Sequence, residues 1–166
     1  KPRPLPNPVF ATDADNPDGY ISLAALSGHL YGTDGRRMID FDSRRDTVVE
    51  MRSKTAGELK PRPRGVCAWR GALVWYRFAD TPHEYLMSAV GNAYDYDISP
   101  PVQSATQAVL GTKAPPGTGQ APDILNVLIP FSDDTLIFGC ESSIWRLDGH
   151  PMDNGRFTLI SDSTGM

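Results

Sequence analysis

Leu26-Ser-Gly-His-Leu-Tyr-Gly-Thr-Asp-Gly35, continuing as Arg37-Met-Ile-Asp-Phe41, is a β-type run that turns and re-enters a second run ending in bulky residues. The pattern returns twice. Ala68-Trp-Arg-Gly-Ala-Leu-Val-Trp-Tyr76 is followed by Glu84-Tyr-Leu-Met-Ser88, and Phe131-Ser-Asp-Asp-Thr-Leu-Ile-Phe138 by Ser143-Ile-Trp-Arg-Leu147. Aligned as copies, they share the anchor leucines Leu30, Leu73 and Leu136, and the first interval of 43 residues matches one propeller blade. The fold class this predicts is all-β: repeated four-stranded antiparallel meanders of β-propeller type, forming an incomplete propeller or a fragment of one.

Working outward, Tyr20 to Leu26, His29 to Thr33, Arg37 to Asp42 and Thr47 to Arg52 read as four strands, with Asp34-Gly35 a type I′ hairpin signal. Residues 20–52 thus have the size of one blade. A second unit spans 65–98 and a third 123–149, while Phe157-Thr-Leu-Ile-Ser161 reads as the start of another at 157–166. Between units two and three, residues 100–122 turn to Gln, Ser, Thr, Ala, Gly and Pro, the composition of an inserted loop. Residues 1–19 form a Pro-rich N-terminal extension, of which 1–8 should be polyproline-like. Three blades do not close a ring alone, since single-chain propellers use about four to eight. A sandwich or an open β-solenoid is the other packing this pattern allows.

The composition is that of a folded globular chain, with 40% hydrophobic and 22% charged residues in 166. Fifteen glycines and fifteen prolines punctuate the apolar runs and exclude long helices. No apolar stretch reaches the roughly 18–20 residues that span a bilayer, so no membrane span is expected. The sequence does not begin with Met, which leaves processing or excision from a longer chain open. A net charge of -4 argues against a general nucleic-acid surface, though not against a local basic patch. Cys67 and Cys140 sit in separate apolar runs and are expected as buried free thiols, which fits a reducing compartment.

Several side chains bear on chemistry. Ala114-Pro-Pro-Gly-Thr-Gly-Gln120 resembles a phosphate loop, but Gln120 and Ala121 stand where Lys and Ser or Thr are needed, and Pro122 opposes a helix. A plain loop is expected. Asp13, Asp15 and Asp18 with Gly19 could converge on calcium, yet Pro17 interrupts the spacing and an Asx-rich turn explains them without metal. His29, His83 and His150 lie beside separate turns with no metal spacing, and no Gly-x-Ser-x-Gly elbow is present. Trp69, Trp75, Tyr76, Phe78 and Tyr85 suit the core between blades. Tyr94 and Tyr96 alternate with Asp95 and Asp97, giving one aromatic and one acidic face that suits a protein interface. The basic spots are Lys60, Arg62 and Arg64, interleaved with prolines, and the pairs Arg36-Arg37 and Arg44-Arg45. They are the places where sequence-independent contact with phosphate would be sought.

The stretch from Asp123 to Gly149, with its Ile-Trp-Arg-Leu-Asp-Gly strand, and Ile160-Ser-Asp-Ser-Thr-Gly165 after it, resembles a unit of bacteriophage propeller-type structural proteins. Tyr85-Leu-Met-Ser-Ala-Val-Gly-Asn-Ala-Tyr-Asp-Tyr-Asp97 is similar to a strand and turn upstream in the same proteins, so the resemblance covers residues 66–166. It implies a tail-hub or nozzle-like virion component, made in the host cytoplasm. The expected partners are other virion proteins and further copies of the chain, with DNA passing nearby as an open option. Such proteins generally carry a complete propeller plus further domains. The expected role is therefore non-enzymatic and needs no cofactor. The alternatives are a propeller enzyme acting on carbohydrate, and a carbohydrate- or surface-binding propeller of a secreted bacterial protein.

Overall fold

A computed structural model describes residues 20–42, 44–45, 47–99 and 104–162. The chain is all-β, with three four-stranded antiparallel sheets and one short helical turn, Gly111–Lys113, among the described residues. The first sheet is a meander of β1 (Ser22–Leu26), β2 (His29–Thr33), β3 (Met38–Asp42) and β4 (Thr47–Glu50) in sequence order. A brief β5 (Ala56–Gly57) follows. The second sheet takes β6 (Pro63–Trp69), β7 (Ala72–Phe78) and β8 (Tyr85–Met87), skips β9 (Asp95–Tyr96), and is completed by β10 (Val109–Leu110). The third is again a plain meander of β11 (Leu125–Pro130), β12 (Thr135–Cys140), β13 (Ile144–His150) and β14 (Asp153–Ser161).

Turn chemistry explains the hairpins. Ser27-Gly28 and Arg70-Gly71 both have positive φ at the two central residues, the geometry whose twist matches the flanking strands. Asp34-Gly35 does not form the expected type I′ turn. Only Gly35 has positive φ, and the Asp34 carboxylate instead accepts the Arg36 and Arg37 backbone N–H groups at 2.8 and 2.7 Å. An Asx side chain has replaced a ladder partner there.

Two further segments depart from the sequence reading. Residues 100–122 are not wholly an inserted loop, because Val109–Leu110 pairs with Leu86 and Met87 as the outer strand of the second sheet. Asp95–Tyr96, read as part of that unit, pairs instead in parallel with Ala56–Gly57. Phe157 to Ser161 does not open a new unit either: it belongs to β14, which pairs with β13 through the turn after His150. A run of two strand residues carries too weak a periodicity to announce itself, and a strand beyond a tight turn resembles a fresh start.

The first strand of each sheet lies toward its neighbours, with β6 packed between β1 and β11. One tyrosine ties all three together. Gly65 on β6 leaves the space in which the Tyr76 ring lies, and the phenol is influenced by Ser22 of the first sheet and the Leu128 backbone of the third. Burial, chiefly, pushes this phenol up to about 12. Ser22 in turn accepts the Val66 N–H at 3.0 Å, joining β1 to β6.

Two apolar layers fill the gaps between sheets. Along β7, Leu73 and Trp75 enter the layer shared with Ala24, Tyr31 and Met38 of the first sheet. Val74 and Tyr76 point the other way, into the layer shared with Leu128, Leu136, Phe138 and Leu147 of the third. The alternation breaks at Arg77, whose φ of 56° sends Phe78 into the first layer rather than the second. Cys67 and Cys140 are buried free thiols, and burial above all raises their pKa values to about 12 and about 11.

Candidate functional site

Among the described residues, the repeat leaves two sheet faces without a counterpart. Each anchor leucine is the second residue of the second strand of its sheet: Leu30 on β2, Leu73 on β7, Leu136 on β12. Leu136 points at the second sheet and Leu73 at the first. Leu30, by the same geometry, points away from both, on a face it shares through the ladder with Ala25, Phe41 and Val48. The residue after each anchor faces the opposite way. Tyr31 meets the second sheet and Val74 the third, while Ile137 faces outward beside Ile129 and Val127. Every exposed large hydrophobic residue among those described (Tyr20, Ile21, Leu23, Val49, Ile129, Phe131, Leu159, Ile160) lies in or beside the first or third sheet, and none in the middle one.

The aromatics read from the sequence as core are core. Trp69, Trp75, Tyr76, Phe78 and Tyr85 are all buried. Tyr96 is buried as well, so it presents no face to a partner: its hydroxyl accepts Trp75 Nε1–H and donates to the Ala93 carbonyl, both at 2.8 Å. The parallel pairing of β9 with β5, rather than a free aromatic-acidic strand, draws it inward. Tyr94 is half-buried and donates to the Asp40 carboxylate, with Lys54 Nζ 3.9 Å from its ring centre.

The basic residues do not act as one group. Lys60 is bound to the buried Glu84, which also accepts from Thr112 and Thr81. Burial alone would raise the Glu84 pKa, but those hydrogen bonds and the Lys60 charge outweigh it and hold the carboxyl below its usual value. Arg62 and Arg64 lie elsewhere, beside Arg36 and Arg77 at a cleft between the first two sheets. Arg77 was not singled out from the sequence. Its signal was an isolated charge in the apolar run from Ala72 to Phe78.

The loop that resembles a phosphate loop is docked rather than open. Phe157 donates its N–H to the Gly117 carbonyl at 2.9 Å, and a Cβ at Gly119 would meet the Tyr85 hydroxyl at 2.8 Å. Asp13, Asp15 and Asp18 lie outside the described residues. Among those described, no three His, Cys, Asp or Glu side chains converge to hold a metal. His83 is exposed. His29 Nδ1 pairs with Asp40 Oδ1 at 2.7 Å, and since Tyr94 binds the same carboxylate, the trio ties the first sheet to the loop after β8. His29 and Tyr94 border a cavity of about 180 Å³ together with Leu26, Ser27 and Tyr31.

His150 is the buried exception. It is 1% exposed, its Nδ1 accepts the Met152 N–H at 3.2 Å, and its Nε2 has no hydrogen-bond partner among the described residues. Burial, then the nearby Arg70 charge, lowers its pKa from 6.5 to about 4, with Asp153 opposing. The unfolded chain therefore binds the extra proton first as pH falls. Stability associated with His150 is full above about pH 6.5 and is lost as pH drops through about 4. Thermal unfolding between pH 8 and pH 4 should show this loss, and His150→Asn, which keeps an acceptor for Met152, should flatten it.

Comparison with protein-family models and with curated proteins gives no match. No helix among the described residues is long and apolar enough to cross a membrane.

Proposed function

We propose that the chain is a non-enzymatic assembly module: three consecutive blades of a propeller-type scaffold, completed by a second copy of the same chain. The carrying observation is the equivalence of faces. The outward Leu30 face repeats the one by which Leu73 and Leu136 pack on the preceding sheet, and the outward Ile137 face repeats that of Tyr31 and Val74 toward the following one. Seating the Ile137 face of one copy on the Leu30 face of another reproduces the sheet-on-sheet packing found twice within the chain. Such a head-to-tail contact closes when the rotation returns on itself. Two copies supply six sheets, within the range of known rings.

The resemblance of residues 66–166 to phage propeller-type proteins supports placing this scaffold in the tail or connector region of a virion. There the rim turns would meet neighbouring proteins. The mass of the purified protein, read by sedimentation and light scattering, tests the reading. A dimer that becomes a folded monomer on Leu30→Asp or Ile137→Asp is expected. A folded monomer at all concentrations overturns ring completion, and hydrolysis of a glycoside by that monomer would overturn the non-enzymatic role.

A further inference from the structure

We propose that the cleft where the β2–β3 turn meets the edge of the β6–β7 hairpin is a phosphate-binding site, with Arg62, Arg64 and Arg77 as its ligands. The three, together with Arg36, Asp34, Phe78 and neighbouring backbone, line a cavity of about 270 Å³. Among the described residues its only lining carboxylate is Asp34, which is 2% exposed and caps the Arg36 and Arg37 N–H groups of the turn. Arg62, Arg64 and Arg77 form no ion pair with any described carboxylate. This local concentration of cations runs against a net charge of -4.

The fold brings these cations together. Arg64 and Arg77 fall between the pairs Pro63↔Phe78 and Gly65↔Tyr76 without pairing with each other, and both line the one cleft, where like charges held close together repel. Arg62 and Arg77 also hold left-handed backbone, φ 59° and 56°, where only Gly is at ease. The surrounding structure enforces this: Arg77 N–H donates to the Glu84 carbonyl at 3.0 Å, and Ala79 N–H to the Arg62 carbonyl at 3.3 Å. Arg64 is further steered by packing over Gly35, whose added Cβ would stand 3.5 Å from its Nε.

The chemistry favours phosphate over carboxylate. A guanidinium presents a planar fork of donors, and one carboxylate fills one fork, whereas a tetrahedral phosphate offers oxygens in three directions. The cavity lies just below the roughly 300–1,000 Å³ of pockets that enclose drug-sized ligands, which suits an inorganic anion or a backbone phosphate entering from the open side. The phosphate can come free or from a nucleic-acid backbone. This site does not depend on ring completion, so a monomer that binds phosphate would sink only the assembly reading.

The test is calorimetric titration of the full chain with inorganic pyrophosphate, and anisotropy titration with a labelled single-stranded oligonucleotide at several salt concentrations. Pyrophosphate binding is expected, weakened at least tenfold by the pair Arg64→Gln and Arg77→Gln and unchanged by Arg156→Gln on β14. If the source is a nucleic-acid strand, the oligonucleotide binds too. Its log–log salt slope is then about -2 for three phosphate contacts, falling by about 0.7 for each arginine removed. Pyrophosphate binding without oligonucleotide binding assigns a free anion and leaves the site standing. Absence of binding to both probes, or binding unaltered in a double variant whose circular dichroism and melting remain native, overturns the proposal. Pyrophosphate should also raise the melting temperature of the wild-type chain and leave that of the double variant unmoved.

Discussion

Phe138→Ala is expected to destabilise the fold by about 3–5 kcal/mol, the range for truncating a fully buried Phe. Phe138 is 0% exposed and stands between two aromatic partners at near right angles, Tyr85 at 5.4 Å and Phe157 at 5.0 Å between ring centres. Phe157 in turn stacks on Trp145 at 4.9 Å. The variant loses the transfer energy of the ring, leaves a cavity, and breaks both edge contacts, each worth about 0.5–1.5 kcal/mol beyond area. The neighbouring strands are braced by their own ladders and cannot collapse into the void, which puts the loss in the upper half of the range. For a chain of this size the melting temperature should fall by about 10–15 °C. Differential scanning calorimetry measures it, and a fall under 3 °C would mean that this layer is not a packed core. Phe138→Leu, which keeps most of the volume, should recover more than half of the loss.

Gly65→Ala should cost about 1–3 kcal/mol although it adds one methyl group in a β-strand, where alanine is ordinarily no worse than glycine. A Cβ at this position would stand 2.1 Å from Tyr76 Cζ and 2.3 Å from its Cε2, so the ring must leave. Moving it releases the Ser22 and Leu128 contacts as well as its apolar burial. Chemical denaturation of Gly65→Ala, Tyr76→Leu and the double variant separates the terms. The clash predicts strong non-additivity, with Gly65→Ala nearly neutral once the phenol is gone. Equal effects in both backgrounds would show that the ring and the glycine are not coupled.

The residues explain which parts of this architecture can be read in advance. Leu30, Leu73 and Leu136 recur because each fills the same place in its sheet, and that place is local: a residue one step beyond a hairpin. Period-two patterning therefore carries the two outer meanders and the first three strands of the middle sheet. The Ser27-Gly28 and Arg70-Gly71 turns use an αL-tolerant glycine, a chemistry visible in any sequence. The departures all depend on distant partners. Val109–Leu110 becomes a strand against the open edge of β8, and Tyr96 is drawn inward by the pairing of β9 with β5 and meets Trp75 through its hydroxyl. Lys60 looked like the companion of Arg62 and Arg64 because proline spacing put them together, yet Glu84, 24 residues along, claims it. Arg77 joined the arginine cleft through a single left-handed residue, and no side-chain pattern announces a backbone φ.

The uneven wiring of the sheets carries a consequence for how the chain folds. The first and third sheets each use four successive strands, so their contacts close short loops and can form early. The middle sheet cannot be finished that way, since β10 reaches it only after β9 has been spent on β5. Both layers rest on that sheet, and Tyr76 on β7 packs into the layer against the third sheet with its ring over Gly65 of β6. The slow step in refolding should therefore be closure of the centre between two preformed flanks. Until it closes, the flanks share no common core, and the chain behaves as two tethered hairpin bundles waiting for a keystone.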